Sequence, residues 1–243
     1  MLFPPCPQVL MVRNSLFFSE SYLRSILPAQ RRGLRLEFWM RRWLIAQSVR
    51  SSRVVMTATR SMLTDVRRFI RIPESKALIN PFGVPLERFR APNGPRAAED
   101  GLFAMVHVSE YVDHKDVTTL LRAATELRNR GVDRFHLTTT ANPDHHPALY
   151  VMNRDLDQRL VRELLRTGHL TVTDRIPYEE VSALYGRSDL FVFPSFIESF
   201  GHPLVEAMAS GLPIVAADIP VHREVCGAAA LYFPPSDPRR LAD

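Results

Sequence analysis

The stretch Phe191–Gly211, FVFPSFIESFGHPLVEAMASG, decides how the rest of the chain is read. Leu190-Phe191-Val192-Phe193 is an unbroken apolar run between Asp189 and Pro194. Such a run predicts a strand covered on both faces, as in a parallel sheet. Pro194 cannot donate to a strand ladder and ends it. Gly201 allows a tight turn. From His202 the apolar residues Leu204, Val205, Met208 and Ala209 recur at helical spacing, and Gly211 closes the run. The unit is therefore strand, loop, helix, with Glu198 in the loop and Glu206 on the helix. In an open parallel sheet, ligands bind beyond the carboxyl ends of the strands. The helix-start N–H groups near Gly201 and His202 suit a phosphate. Glu206 can accept two hydrogen bonds from a vicinal diol such as a ribose. An acidic helix face with no ligand is the alternative reading of the same two glutamates.

Outward from this unit, the second half of the chain alternates. Strands are expected near 102–108, 134–140, 169–173, 189–193, 213–216 and 230–233. Helices are expected near 115–130, 151–167, 178–187, 203–210, 220–226 and from 237 onward. That alternation predicts an α/β domain with a parallel sheet covered on both faces. Residues 86–100, with Pro92, Asn93, Gly94 and Pro95, read as a linker. Before it, strands are expected at 8–13, 54–57 and 76–80, and a helix at 61–70. A long basic helical stretch runs from about Glu20 to Ser51, interrupted near Pro28 and Gly33. The domains are then 1–85, 86–100 (linker) and 101–243.

Composition sets the outer bounds. With 46% hydrophobic and 23% charged residues among 243, the chain fits an ordinary globular protein. Cys6 and Cys226 are its only cysteines, which suggests neither a disulfide framework nor a zinc site and makes a reducing, cytoplasmic compartment the expectation. No apolar run approaches the ~18 residues of a membrane span. The start, Met-Leu-Phe-Pro-Pro-Cys-Pro, lacks the pattern of a signal peptide. The net charge of +5 is uneven, since residues 1–72 hold thirteen Arg against Glu20, Glu37 and Asp65. This basic third suggests an anionic surface as partner. Leu36, Met40, Trp43 and Leu44 form one stripe over 34–49, with Arg35, Arg41, Arg42 and Arg50 around it. The expectation is a helix packed on a sheet with its arginine stems along the surface. The alternative is an anionic membrane surface bound through 31–53 at the inner face of the membrane.

The segment Glu198-Ser-Phe-Gly-His-Pro-Leu-Val-Glu206, with Ala-Met-Ala-Ser-Gly-Leu-Pro-Ile-Val-Ala after it, resembles the E-x7-E signature of retaining glycosyltransferases of family 4, which have the GT-B fold. The resemblance is unbroken from about Tyr185 to Pro235, strong from 101 and weak before. Asn80-Pro-Phe-Gly-Val-Pro-Leu-Glu-Arg-Phe89 is similar to that family's exit from its N-terminal domain. It implies a GT-B-like protein, with a Rossmann-like parallel-sheet C-terminal domain behind a partial N-terminal α/β domain. It further implies transfer of a hexose from a nucleotide-diphosphate sugar, a UDP- or GDP-sugar, to a glycan, lipid or small-molecule acceptor.

By resemblance, Glu206 holds the ribose hydroxyls, and Glu198 with Ser199, Phe200, Gly201 and His202 holds the sugar and diphosphate. Glu198 is the catalytic candidate. Lys115 neutralises the diphosphate, and the loop at Arg175-Ile176 meets the base. No metal, cofactor or nucleic acid is implied. Glu110 departs from the pattern, because the family commonly places an arginine or histidine there. Arg13 likewise stands where a histidine is common. A glycine of the base loop is here Asp174 or Arg175. Asp155-Leu156-Asp157 matches a metal-binding pair of the other large glycosyltransferase fold, but mid-helix positions i and i+2 share no face. Asp144-His145-His146 reads as a solvated loop. The opening glycine-rich unit and the final helix of the family are expected to be missing, so that a transferase acts either alone or with a separately encoded N-terminal half. A non-catalytic nucleotide-sugar-binding remnant and a related sugar-nucleotide epimerase are the alternatives to a transferase.

Overall fold

The computed structural model describes residues 6–91, 101–144 and 152–243. The chain divides into two compact units. The first runs up to Gly83 and includes Ile197–Phe200, and the second comprises Val84–Phe196 and Gly201–Asp243. The expected Asp144-His145-His146 loop falls partly, and the linker mostly, outside the described residues.

The first unit holds strands β1 (Val9–Met11), β2 (Val54–Thr57) and β3 (Ala77–Ile79), and helices α1 (Arg32–Ser51) and α2 (Arg60–Arg67). Its sheet is parallel in the order β1-β2-β3, with Val9 opposite Val54 and Val55 opposite Ala77. Thr59 caps α2 by accepting from the Met62 N–H at 3.1 Å, which satisfies one of the donors a helix start leaves open. Val12, Phe18, Val49, Val55, Met62 and Val66 fill the core.

Two expectations about α1 are corrected. The break expected near Pro28 is present, where short helical turns cover Tyr22–Ile26 and Leu27–Ala29, but the one expected near Gly33 is not, because α1 runs from Arg32 through that residue. The stripe Leu36, Met40, Trp43 and Leu44 does not pack inward, since these residues are 73%, 55%, 55% and 37% exposed. The buried residues of α1 are Phe38 and Val49. Arg42 lies on that inner side, its guanidinium 4.0 Å from the ring centroid of Phe69. A cation held on an aromatic face lets α1 bury a side where the sequence places an arginine.

The second unit contains β4 (Phe103–His107), α3 (Val117–Asn129), β5 (Phe135–Thr139), α4 (Arg154–Arg166), β6 (Leu170–Val172), α5 (Tyr178–Gly186), β7 (Leu190–Phe193), α6 (His202–Ala209), β8 (Ile214–Ala217), α7 (Pro220–Cys226), β9 (Leu231–Phe233) and α8 (Pro238–Ala242). Its six strands are parallel in the order β6-β5-β4-β7-β8-β9. The winding reverses between β4 and β7, which opens a crevice at their carboxyl ends. Phe191 and Phe193 join one apolar cluster with Val106, Tyr185, Leu204 and Ile214. Val192, between them, joins a second with Met105, Leu121, Leu137 and Leu164. Successive strand residues point to opposite faces, so a strand feeding two cores must be apolar throughout.

Candidate functional site

The β7–α6 connection begins at the crevice. Ser195 Oγ and the Phe196 N–H both donate to the carbonyl of His114, each at 3.0 Å, which ties this loop to the segment before α3. Gly201, which precedes α6, has φ of 83°. A Cβ there would meet Leu204 Cδ1 at 2.9 Å, so both the backbone and the space call for glycine. Pro203 brings no N–H, and the Leu204 N–H closes on the Gly201 carbonyl at 2.9 Å. An anion at this helix start would therefore rely on the Gly201 and His202 positions, not on a full turn of donors.

Glu206 is not on an exposed acidic face; it is buried at 6% exposure. Tyr178 donates its hydroxyl to Oε1 at 2.9 Å, and Tyr185 donates to Oε2 at 3.3 Å. Burial and the Glu206 carboxylate push Tyr178 up to about 12 and Tyr185 well above its ordinary range, so both remain donors. A carboxylate offers about four lone-pair sites. The two tyrosines leave each oxygen with acceptor capacity for a diol.

A cavity of about 690 Å³ opens at the same edge of the second unit. That volume falls in the range of small-molecule sites. Its walls include Ser109, Glu110, Thr140, Asn142, Arg175, Ile176 and Pro203. Ile176 stands two residues before Tyr178, and Pro203 one turn before Glu206. Asp174, at the position of the expected glycine, adopts φ of 58°. This left-handed conformation is one an aspartate tolerates better than most residues. Glu110, the acid where a cation was expected, pairs with Arg175 at 3.0 Å across the cavity wall. Both side chains are well exposed, so the pair is weak and easily exchanged for another partner.

Lys115 does not open α3. It ends a short turn, Asp113–Lys115, and Asp116 caps the helix in the left-handed region, accepting from the Thr119 N–H at 3.3 Å. The shift follows from the cap chemistry, because aspartate accepts from the first-turn amides where lysine cannot. The Lys115 ammonium lies 5.5 Å from the Phe193 ring centroid. Behind it, His107 is wholly buried, with Nδ1 2.9 Å from Thr139 Oγ1 and Nε2 3.1 Å from Ser109 Oγ. Burial, followed by the Lys115 charge, lowers this imidazole to about 3, so it is neutral. A neutral histidine adds no positive charge next to Lys115.

Glu198, Ser199 and Phe200 belong to the first unit, where Thr59 Oγ1 donates to the Ser199 carbonyl at 3.0 Å and Phe200 meets Phe82 edge-on at 5.4 Å. Arg13, in the same unit, lies 5.4 Å from the Phe82 ring centroid. Asp157 is buried and accepts from Tyr111 at 2.7 Å and Thr118 at 3.0 Å. Among the described residues, no three His, Cys, Asp or Glu side chains are grouped to hold a metal. Sequence reasoning missed Tyr178, Tyr185 and His107. The two tyrosines are seven apart on a helix, hence on one face, and that spacing was the available signal.

Residues 94–243 match the family model described as glycosyl transferases group 1. The chain is 39% identical to the O-antigen chain mannosyltransferase RfbU of Salmonella typhimurium over 33% of its own length and 23% of that protein. It is 26% identical to the MMP alpha-(1->4)-mannosyltransferase of Mycolicibacterium hassiacum over 77% of its length and 44% of that protein. The chain thus spans less than half the length of these curated relatives. Among solved structures, sucrose-phosphate synthase from Thermosynechococcus elongatus matches with a TM-score of 0.74 at 20% identity, over 96% of this chain and 56% of that one. HepE from Anabaena, solved in complex with UDP-glucose, matches at 0.69 and 18% identity, over 97% of this chain and 60% of that one. These likenesses show the GT-B fold, and the match over 94–243 shows the ancestry: the chain belongs to the glycosyl transferases group 1 family.

Proposed function

We propose that this chain serves retaining glycosyl transfer, moving a hexose from a nucleotide-diphosphate sugar to a glycan, lipid or small-molecule acceptor. The observation that carries the reading is Glu206, a buried carboxylate with spare acceptor capacity, one turn along α6 from Pro203, which lines a cavity of about 690 Å³. Glu206 takes the ribose diol. Lys115, Gly201 and His202, with Ser199 and Phe200, take the diphosphate, while Arg175 and Ile176 meet the base and Glu198 meets the sugar. The leaving diphosphate accepts the proton of the attacking hydroxyl as the new glycosidic bond forms on the face the diphosphate leaves. The protein contributes placement and stabilisation of charge on that phosphate, and the scheme invokes no metal. The solution of HepE with UDP-glucose supports a nucleotide-sugar donor, and the mannosyltransferase relatives support a hexose. The exposed stripe of α1, with its arginines, supports a cytoplasmic protein resting on an anionic membrane.

Glu110 favours a second reading, in which the chain binds nucleotide sugar weakly and transfers nothing. Calorimetry against UDP-, GDP- and ADP-sugars, paired with chromatography for transfer, separates the two. Glu206→Ala should weaken donor binding by roughly 1.5–3 kcal/mol, the scale of hydrogen bonds to a charged group. Unchanged affinity removes the ribose assignment. Binding without transfer supports the second reading, and epimerisation without acceptor would make the chain an epimerase.

A further inference from the structure

Glu206 is held by a layered set of contacts that begins well before α5 in the sequence. Phe89 is 1% exposed, and its ring lies 5.7 Å from Tyr178 and 6.0 Å from Tyr185. The Arg88 guanidinium covers the Tyr178 ring at 5.0 Å and approaches Glu179 at 3.8 Å. Each tyrosine then spends its hydroxyl on a different oxygen of the same carboxylate. A glutamate side chain has three rotatable bonds and loses entropy when a ligand fixes it. Here that cost is met in folding, because donors on both oxygens leave one carboxylate orientation with both bonds made.

The two tyrosines are not equivalent. Tyr185 has no exposure and belongs to the apolar core, so its ring is needed whatever its hydroxyl does. Tyr178 is 44% exposed and contributes little core volume. The Tyr178 hydroxyl also makes the shorter of the two bonds, 2.9 Å against 3.3 Å. An exposed ring pinned by a phenylalanine and an arginine, with its hydroxyl directed at a buried acid, is poorly explained by stability alone.

We propose that Tyr178 is a positioning residue that fixes the Glu206 carboxylate so that its remaining lone pairs meet a cis-diol, making the site selective for ribose over deoxyribose nucleotides. The inference rests on the assignment of Glu206 to the ribose. Tyr178 does not touch the nucleotide in this account; it acts through Glu206. Selectivity arises because a pre-oriented acceptor pair rewards both hydroxyls at once, whereas a mobile carboxylate gives up part of that gain to ordering.

The test uses the full chain and calorimetry with UDP, GDP and ADP, each against its 2′,3′-dideoxy counterpart. Wild type, Tyr178→Phe, Glu206→Gln and the double variant are compared. Tyr178→Phe keeps the ring, and with it the Phe89 and Arg88 contacts, and removes only the hydroxyl. It should weaken the preferred ribonucleotide by roughly tenfold, the scale of a lost hydrogen bond to a charged group. Dideoxynucleotide binding should stay within about twofold, and in the Glu206→Gln background Tyr178→Phe should have no further effect.

A merely structural role would lower the melting temperature and leave the ribo-to-dideoxy ratio alone. A ratio unchanged in Tyr178→Phe but reduced in Glu206→Gln overturns the proposal while keeping the ribose assignment. A ratio unchanged in both, or no nucleotide binding by folded wild type, overturns that assignment and the proposal with it.

Discussion

The two units are built from the same parts, parallel strands with helices between them, yet they differ in how completely they bury what they carry. In the second unit, six strands feed two apolar clusters, and the run Leu190–Phe193 is covered on both sides. In the first, three strands share one cluster, and α1 presents Leu36, Trp39, Met40 and Trp43 at more than half exposure. A site needs atoms held still, and the second unit supplies them through a double-sided core. Exposed apolar and cationic side chains instead suit a surface contact, where position matters less than area and charge.

Core substitutions should break the likeness most strongly. Phe191→Ala should cost about 3–5 kcal/mol of unfolding free energy, because the ring is fully buried between strands and helix. Trp43→Ala, at 55% exposure, should stay within about 0.5 kcal/mol. Urea unfolding of both variants checks this, and a large loss at Trp43 would show that α1 packs against something in solution.

Acid should sharpen the contrast next, through His107. Its folded pKa of about 3 lies below the ordinary 6.5, so the unfolded chain binds the proton first. Stability is then full above about pH 6.5 and falls with acidification, by roughly 1.4 kcal/mol per pH unit at the steepest. Burial raises the carboxyls of Asp113, Asp116 and Asp157, which favours the folded state at lower pH and opposes the trend there. The clean window is therefore between about pH 6.5 and 5. In His107→Gln the slope in that window should shrink by about the histidine's share, and an unchanged slope would mean the imidazole is solvated.

A further effect concerns the charges of α1. Replacing Arg31, Arg32 and Arg35 with glutamine should weaken co-sedimentation with anionic vesicles by about 1 kcal/mol per charge at low salt. Vesicle binding absent at low salt, or indifferent to salt, would remove the membrane from the account.

Much of the second unit was legible because its signals are local. The strand run at Leu190–Phe193, the helical spacing after His202 and the φ demanded of Gly201 each sit within a few residues. The site was legible only in part. Glu206 could be placed, but its tyrosine donors come from α5, far away in sequence. The helix was expected to open at Lys115, two residues early, because Asp116, whose side chain accepts from the first-turn amide, is the true cap. The α1 stripe failed for a different reason. That helix carries two apolar faces, one through Phe38, Ile45 and Val49 and one through Leu36, Met40 and Trp43, and periodicity alone does not say which turns inward.

The central claim is that a nucleoside diphosphate binds the second unit, at the carboxyl edge of its sheet. Backbone hydrogen exchange of the full chain, with and without saturating UDP or GDP, tests it directly. The account predicts slowed exchange around 109–116, 174–178 and 201–206, with 31–53 unchanged. Protection confined to the first unit, with none at those three segments, would contradict it.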